Sequence, residues 1–299
     1  MTWKKDLFYL AYMLLFGASV AALAWWQKQT RKTRLPFGDE FKLLRGPGET
    51  QLRLARKSDD EAVPRLVWAS VIPVTVGMLL LLLTVGLPEE MQIAGAAVAL
   101  GGFIAALFFT ARWFANKARE SGNRYLGYFG ERVVAEHLEP LKAQGWRIFH
   151  DVPVTAQTHK ANLDHVAVGP AGVFAIETKT RRKGSARPGF DEHKAYFDGR
   201  SLVWPWGEDN HGLEQAERSA SWLADMLQAE TGERVPVTPI LTLPGWVVEM
   251  KPSRDSRTCR VANPKELAKL LPAGATVLDA RQIDAIAAKL EARCRDVEY

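Results

Sequence analysis

The chain has 299 residues, 47% of them hydrophobic, with a formal net charge of +5 and a pI near 9.2. Its only two cysteines, Cys259 and Cys294, exclude a disulfide framework and a zinc site built from CxxC pairs. Residues 1–113 contain 13 Lys and Arg against 9 Asp and Glu, whereas residues 114–299 contain 26 against 25. The second part is therefore not globally basic, and a nucleic-acid contact there must use a local patch.

Three uncharged segments are each long enough to cross a membrane as a helix. They are Leu7–Trp26, Leu66–Leu87 and Met91–Ala111, and a hydrocarbon core requires about 20 helical residues. A buried core helix is the alternative for each segment, but uncharged runs of this length exceed what one buried helix face requires. Trp25 and Trp26 end the first segment, where aromatic rings favour the headgroup zone. We predict a transmembrane helix over residues 1–26 and a helical hairpin over residues 66–113.

The distribution of Lys and Arg between the loops predicts the orientation. The 27–65 loop carries ten Lys or Arg, whereas the turn Pro88–Glu90 carries none. The positive-inside rule then predicts a multi-pass protein of the inner cell membrane, with the 27–65 loop and the C-terminal domain in the cytoplasm. Lys4 and Lys5 argue against the external N-terminus that follows. A second interpretation is that residues 1–24 are a cleaved signal peptide.

Elements of a soluble α/β domain follow Arg124. Apolar spacing predicts a helix over Tyr128–Glu139 that ends at Pro140, and a strand over Trp146–Val154. We read the 27–65 loop, by contrast, as a partly ordered basic connector. Further elements are predicted along the chain: a hairpin turning at Asp198-Gly199, a helix over Leu213–Ala229, an edge or bulged strand over Val235–Leu243 because of Pro236 and Pro239, and helices over Pro264–Leu271 and Arg281–Cys294.

Two short β-rich runs on either side of a Gly-Pro turn predict a β-hairpin. The runs are Val166–Val168 and Val173–Ile176, and Gly169-Pro170-Ala171-Gly172 lies between them. Pro170 presets one turn angle, and Gly172 can adopt a positive φ without strain. We therefore expect a four-residue connection in which Val168 pairs with Val173.

This register predicts that charged side chains converge at the open end of the hairpin. Asp164 would lie across from Glu177, and Asn162 would lie across from Lys179, with opposed Cβ atoms about 5 Å apart. A register slip of one residue would turn the charged side chains of one strand to the other face of the hairpin. The candidate site therefore depends on the pairing.

Two opposed carboxylates repel each other unless a cation or a proton lies between them. Hard oxygen ligands suit Mg²⁺ or Mn²⁺ better than zinc, and such an ion would polarise a phosphodiester and lower the pKa of a bound water. Lys179 would stabilise the hydroxide or the charge that develops on phosphorus. The alternative is a structural ion pair between a carboxylate and Lys179 at a strand end. His165 follows Asp164, but strand alternation turns it away from the site, as a packed or surface histidine.

The segment Asn162–Thr180 (NLDHVAVGPAGVFAIETKT) closely resembles the core of the nuclease-related domain, or NERD, family of the PD-(D/E)XK superfamily. The resemblance extends from about Gly127 to Leu243. It implies an α/β fold with a restriction-endonuclease-like mixed sheet flanked by helices, here preceded by three transmembrane helices. In this resemblance Asp164 corresponds to the Asp of the family motif, and Glu177-Thr178-Lys179 corresponds to its E-x-K.

Two residues outside the hairpin enter through the same resemblance. Gly130-Glu131 is similar to the family's acidic motif in the first helix, and Gln215 is similar to its downstream glutamine. The family would then use Glu131 beside Asp164 and Glu177 as a metal ligand, and Gln215 to orient the phosphate or the attacking water. Alone, either residue is an ordinary polar side chain on a helix. The family usually has Asn-Pro before this glutamine, whereas this chain has Asn210-His211-Gly212, which puts the helix cap in doubt.

The sequence and the resemblance together predict a membrane-anchored, Mg²⁺-dependent (or Mn²⁺-dependent) nuclease that acts in DNA processing. The nuclease-like domain would span residues 124–243, followed by an α/β extension over residues 244–299. One alternative is a catalytically silent module that binds nucleic acid or a partner at the inner membrane, and another is a structural membrane scaffold. The expected partners are nucleic acid, DNA first, and the lipid bilayer. The sequence does not distinguish DNA from RNA as the substrate, and it leaves open whether the protein forms a homo-oligomer. Four residues form the local basic patch near the site: Lys179, Arg181, Arg182 and Lys183.

Overall fold

The computed structural model describes residues 17–19, 21–22, 25–26, 42–85, 87–154, 162–250 and 257–297. Leu43–Val297 form one compact unit, and Met1–Lys42 with Glu298–Tyr299 are assigned to another. The predicted span Leu7–Trp26 lies largely outside the described residues, although those described within it are helical. Over the described residues, two helices rather than the expected three are long and apolar enough to cross a membrane.

The unit consists of six helices and eleven strands over its described residues. The helices are α1 (Glu49–Asp60), α2 (Ala62–Thr84), α3 (Glu89–Lys142), α4 (His211–Thr231), α5 (Pro264–Leu270) and α6 (Ala280–Cys294). The strands are β1 (Leu43–Leu44), β2 (Arg147–Pro153), β3 (Asn162–Gly169), β4 (Gly172–Thr178), β5 (Lys194–Phe197), β6 (Leu202–Trp204), β7 (Gly207–Glu208), β8 (Val237–Thr242), β9 (Val247–Met250), β10 (Arg260–Ala262) and β11 (Arg295–Val297).

Helix α2 and the first part of α3 form an apolar hairpin whose side chains face outward. Leu83 and Ile93, for example, are 73% and 82% exposed. Small residues let the two helices approach closely, since a Cβ atom added at Gly77 would lie 3.1 Å from that of Phe103, and one at Gly102 would overlap Leu80. Apolar exposure of this extent is typical of a surface that faces lipid rather than water.

Helix α3 runs without a break from the apolar hairpin into the α/β part, over 54 residues. The prediction that Pro140 ends a separate helix is wrong, because the helix continues through Pro140 to Lys142. Proline removes one hydrogen bond and crowds the preceding turn, and this cost falls in the last turn of the helix. Leu138 and Leu141 on either side are fully buried against the sheet and hold that turn in place.

The central layer is a five-stranded mixed sheet in the order β10-β8-β4-β3-β2. Strand β3 is antiparallel to β2 and β4, whereas β4, β8 and β10 are parallel. Helices α3 and α5 bury apolar side chains such as Val134 and Leu267 on one face, and α4 and α6 bury Leu223 and Leu290 on the other. A second sheet has the order β7-β6-β5-β9. The predicted mixed α/β class is confirmed.

Strand β8 lies between β4 and β10, so the prediction of an edge strand over Val235–Leu243 is only partly right. Pairing with β10 begins at Ile240 and continues to Thr242. Pro239 precedes that stretch, and up to Pro239 β8 pairs only with β4. Pro236 precedes β8, and Pro239 lies where β8 has one free side among the described residues, which is where a strand tolerates a missing N–H donor.

Part of the predicted connector is a folded component of the α/β part. Strand β1 pairs with β11 at the other end of the unit, and Arg45 N donates to the carbonyl of Cys294 (3.0 Å). Helix α1 packs along α3, where Ser121 Oγ donates to Asp59 Oδ1 (3.0 Å). The chain therefore contributes to the α/β part both before and after the apolar hairpin.

Candidate nuclease-type site

The β3–β4 hairpin has the predicted register. Val168 pairs with Val173, and the ladder continues to Gly169 and Gly172, so only Pro170 and Ala171 form the turn. Gly172 has a φ of 120°, which requires glycine. The last pair of the ladder toward the open end is His165 with Ile176. The predicted charged residues lie just past it.

Strand β3 is irregular at Asp164. Its neighbour β2 pairs on either side of this point, but Asp151, which would be opposite Asp164, has a left-handed φ of 49°. The Asp164 carboxylate instead accepts a hydrogen bond from Thr178 N (2.7 Å), at the end of β4. The side chain of Asp164 is therefore fixed across the open end of the hairpin, beside Glu177.

Asn162 does not lie across from Lys179, which corrects the predicted pairing. Asn162 pairs with Pro153 on β2, and its Nδ2 donates to Asp151 Oδ1 (3.1 Å). Lys179 follows β8, where its N–H donates to the carbonyl of Thr242 (3.0 Å). The two strands separate here because β4 stays with its parallel neighbour while β3 follows β2.

Lys179 links Glu177 to helix α4. Its Nζ atom donates to Glu177 Oε1 (2.7 Å) and to Gln215 Oε1 (2.9 Å), and the Glu177 side chain is 2% exposed. A Cβ atom at Gly212 would lie 3.1 Å from Lys179 Cγ, so glycine there leaves space for the Lys179 stem. The structure thus brings together the E-x-K pair and the predicted glutamine.

The start of α4 resolves the doubt about its cap. Asn210 makes no capping hydrogen bond, and its Oδ1 accepts from Leu202 N (2.8 Å) in the neighbouring sheet. Asp209 Oδ1 instead accepts from His211 N (3.0 Å). The helix therefore begins at His211 without Asn-Pro, and Gln215 lies one turn inside it.

Glu131 approaches the site from α3 and is 5% exposed. The preceding Gly130 is essential to this approach, since a Cβ atom there would overlap Thr180 Oγ1. Over the described part of the chain, Glu131 Oε2 and Glu177 Oε2 are both buried without a hydrogen-bond partner. Two buried carboxylate oxygens that lack donors are unfavourable unless a proton or a cation satisfies them.

Burial raises the pKa values of all three carboxyl groups, and Glu177 adds to the rise at the other two. Burial, then Asp151 and Glu177, raise the pKa of Glu131 to about 8. The pKa of Asp164 lies well above its ordinary value because its carboxyl group is desolvated and close to Glu177 and Glu131. Burial also raises the pKa of Glu177, against the opposing effects of Lys179. A group of buried acids with raised pKa values is typical of functional sites, and a divalent cation would stabilise their charged forms.

The donor chemistry of this group fits a hard divalent cation, whereas its arrangement is incomplete. Among the residues that the structure describes, no three His, Cys, Asp or Glu side chains converge closely enough to hold a metal ion. Glu177 Oε1 is engaged by Lys179, and the Asp164 carboxylate is engaged by Thr178. Glu131 Oε2 and Glu177 Oε2 have no hydrogen-bond partner among the described residues and remain available to a ligand.

Sequence reasoning missed a buried network that adjoins the site. Asp151 Oδ2 accepts from Arg45 Nη1 (2.8 Å), Thr50 Oγ1 (2.7 Å) and Thr50 N (3.0 Å). The backbone of Gly48, at the start of α1, hydrogen bonds to the Glu131 carboxylate. Arg45 and Asp151 are 106 positions apart, and no local pattern connects them. The ten basic residues of the loop indicated only orientation.

His165 lies away from the site, which confirms its predicted packed position. It is fully buried, and its Nδ1 is 2.8 Å from His150 Nδ1 on β2. Burial lowers the pKa of His165 well below its ordinary value and that of His150 to about 4. The lowered pKa values favour the neutral form of both rings, which pack edge to face with ring centroids 5.0 Å apart.

Comparison with known proteins adds one match. Residues 126–244 match the family model NERD, the nuclease-related domain, close to the segment over which the resemblance was expected. No curated protein and no solved structure matches the chain. The carboxylate cluster therefore lies within the segment that matches the nuclease-related domain.

Proposed function

We propose that this nuclease-related domain hydrolyses phosphodiester bonds of nucleic acid with the aid of Mg²⁺ or Mn²⁺, at a site formed by Asp164, Glu177, Lys179 and Gln215. Glu131 is the proposed third acidic ligand. The observation that carries the proposal is the hydrogen-bonded set of Glu177, Lys179 and Gln215 beside Asp164, within the segment that matches the family.

Each residue has a role that its contacts support. Asp164 and Glu177 would hold the cation, with Glu131 approaching from α3. A cation held by these carboxylates would supply polarisation of the phosphodiester and a lower pKa of the attacking water. Lys179 Nζ is held by Gln215 at 2.9 Å, so it can stabilise the negative charge that develops as the water oxygen bonds to phosphorus and the leaving oxygen departs.

We also propose that the sheet belongs to the restriction-endonuclease-like type and that the domain works at the inner face of the cell membrane. The support is the mixed sheet with helices on both faces and the apolar hairpin of α2 and α3. A two-helix hairpin returns the chain to the side from which it came, so β1 and α1 join the α/β part without crossing lipid.

The test is a cleavage assay on the full chain in lipid nanodiscs, with single-stranded and duplex DNA and RNA, and with Mg²⁺, Mn²⁺ or EDTA. We expect cleavage that depends on the cation and falls at least about 10³-fold in Glu177→Gln and in Lys179→Ala. His165→Gln serves as the control for a nearby titratable residue outside the site. The proposal is rejected if protein that is shown to be folded cleaves none of these substrates with any of the ions.

A second function is a catalytically silent module that binds nucleic acid or a partner at the membrane. The observation in its favour is that no three potential ligands converge among the described residues and that Lys179 occupies one oxygen of Glu177. In that case Asp164→Ala and Glu177→Ala would leave salt-dependent DNA binding unchanged, and neither they nor the wild type would cleave. Addition of Mg²⁺ would then also leave the melting temperature of the wild type unchanged.

A further inference from the structure

A cluster of three tryptophans lies beside the loop that follows the candidate site. Trp204 and Trp246 are buried, and each contacts the other edge to face with ring centroids 4.9 Å apart. Trp206 stacks on Trp204 with an interplanar angle of 8° and a centroid distance of 5.6 Å. Trp206 is nevertheless 39% exposed. Its indole ring is therefore held rigidly from one side and open to solvent on part of its surface.

The loop that passes this ring is strongly basic. Residues 179–190 contain five Lys or Arg and no Asp or Glu. Lys183 Nζ lies 5.8 Å from the centre of the Trp246 ring, and the Trp246 indole N–H donates to the carbonyl of Arg181 (3.2 Å). A Cβ atom at Gly184 would lie 3.6 Å from the Trp206 ring. The loop thus runs from Lys179 of the candidate site past the Trp206 ring.

The charges of this loop are only partly neutralised. Arg181 forms an ion pair with Asp209 at the base of α4. Arg182 and Lys183 are exposed, and Arg182 Nη2 donates only a long hydrogen bond, to the carbonyl of Gly122 (3.4 Å). Two exposed cations on the loop whose Gly184 passes the Trp206 ring supply, together with that ring, groups for the two parts of a nucleotide, because phosphate is attracted to cations and a base stacks on an aromatic ring.

We propose that Trp206, Arg182 and Lys183 form a subsite for an unpaired nucleotide on the strand that enters the candidate catalytic site. The proposal rests on the proposed function in that it takes nucleic acid as the ligand. In a duplex both faces of each base are covered by neighbouring bases, so only an unpaired base can stack on Trp206. The substrate class is then single-stranded nucleic acid, or a duplex with a single-stranded tail or flap, rather than continuous duplex.

Anionic lipid headgroups are the competing ligand, since Trp flanked by basic residues also occurs at membrane interfaces. Two observations favour the nucleotide. The Trp206 ring is preorganised by its stack on Trp204, and the basic loop is continuous with Lys179 of the site. A lipid anchor requires neither feature.

The test is fluorescence anisotropy with labelled oligothymidine and with a matched duplex, on the full chain in nanodiscs of zwitterionic lipid. Ca²⁺ replaces Mg²⁺ to limit turnover. Trp206→Ala should weaken binding of the single strand about 5- to 150-fold and change duplex binding less than about twofold, since one base stack contributes about 1–3 kcal/mol. Trp206→Phe should recover part of the loss. Arg182→Gln and Lys183→Gln should each reduce the slope of the logarithm of the binding constant against the logarithm of the salt concentration by the amount that about one phosphate contact contributes.

Trp113→Ala is the matched control, since Trp113 is 41% exposed on α3, outside this loop, and its loss should leave binding unchanged. The proposal is overturned if folded Trp206→Ala binds the single strand as tightly as the wild type does, if it loses single-strand and duplex binding equally, or if the wild type does not bind the single strand. It is also overturned if the effect of Trp206→Ala appears only in anionic nanodiscs. If Trp206→Ala loses single-strand binding selectively but neither it nor the wild type cleaves nucleic acid, the proposed hydrolysis is rejected and the subsite is retained. If both cleave nucleic acid and Trp206→Ala binds the single strand as the wild type does, the subsite is rejected and hydrolysis is retained.

Discussion

The two halves of helix α3 belong to different surroundings, although the backbone between them is unbroken. In the first half, apolar side chains such as Ile93 and Ile104 are exposed. In the second half, Val134 and Leu138 are fully buried against the sheet, and Glu131 points into the candidate site. The same helical backbone thus presents apolar residues all round where lipid is expected and one apolar face where a sheet covers it. The number of apolar residues in a helix therefore does not tell which of its surfaces pack against other parts of the protein.

The largest effect is expected when a charged residue is introduced into each half of α3 in turn and the two variants are compared. Leu138→Asp should unfold the α/β part, at a cost above about 5 kcal/mol, because it buries an unpaired carboxylate. Ile104→Asp should leave that part folded and weaken membrane insertion by about 3 kcal/mol. Limited proteolysis measures the folding, and carbonate extraction of membranes measures the insertion. Equal proteolytic sensitivity of the two variants would contradict the distinction.

The next effect tests whether the segment before the hairpin belongs to the α/β part. Arg45→Met removes the partner of Asp151, whose side chain is 5% exposed, and should cost about 3–5 kcal/mol of unfolding free energy. Arg53→Met removes an exposed ion pair with Glu49 in the same segment and should cost less than about 0.5 kcal/mol. Chemical denaturation followed by far-ultraviolet circular dichroism compares the two. A small effect of Arg45→Met would show that the segment is dispensable for the fold.

A smaller effect probes the contact between the buried half of α3 and the site. Gly130→Ala should displace Thr180, next to Lys179, and cost about 1–3 kcal/mol together with at least a tenfold loss of cleavage. Gly122→Ala, two turns earlier, meets only Arg182 at an ordinary 3.7 Å and should be tolerated. Melting temperatures and initial cleavage rates test both. Unimpaired cleavage by Gly130→Ala would mean that this close approach does not position Lys179.

The smallest expected effect is a pH dependence of stability. The pKa of Glu131 rises from 4.5 to about 8 on folding, so the folded state binds more protons between these values and stability falls as the pH rises through this window. In EDTA, Glu131→Gln should reduce this fall and raise the melting temperature at pH 8 by about a few degrees. Glu136→Gln, exposed on the same helix, is the control. A pH profile unchanged by Glu131→Gln would contradict the assigned burial.

The hairpin that carries the site was predictable because its determinants are local. Pro170 and Gly172 specify the turn, and alternation of apolar residues specifies the register that the structure confirms. The position of Asn162 was not predictable, because it follows from a left-handed residue on a third strand, Asp151. A positive φ at a non-glycine residue is held by tertiary contacts rather than by sequence preference.

The parts of the fold that depend on distant contacts were also missed. Arg45 and Asp296 are 251 positions apart, and a basic loop residue gives no sign of such a partner. The unbroken α3 was missed because a proline in the last turn of a helix and a proline that ends one look the same in the sequence. Trp206 was missed for a related reason, since an aromatic residue in the short turn between β6 and β7 gives no indication of its exposure.

The pairing of β1 with β11 has a consequence for how the protein folds. The two strands lie about 250 positions apart, and the apolar hairpin lies between them. Closing so long a loop is entropically costly, and contacts of high sequence separation form late. During synthesis, the hairpin can enter the membrane long before β11 leaves the ribosome. Arg45 can reach the carbonyl of Cys294 and the carboxylate of Asp296 only after that point, so we expect the contacts that join the start of α1 to the end of the unit to form last.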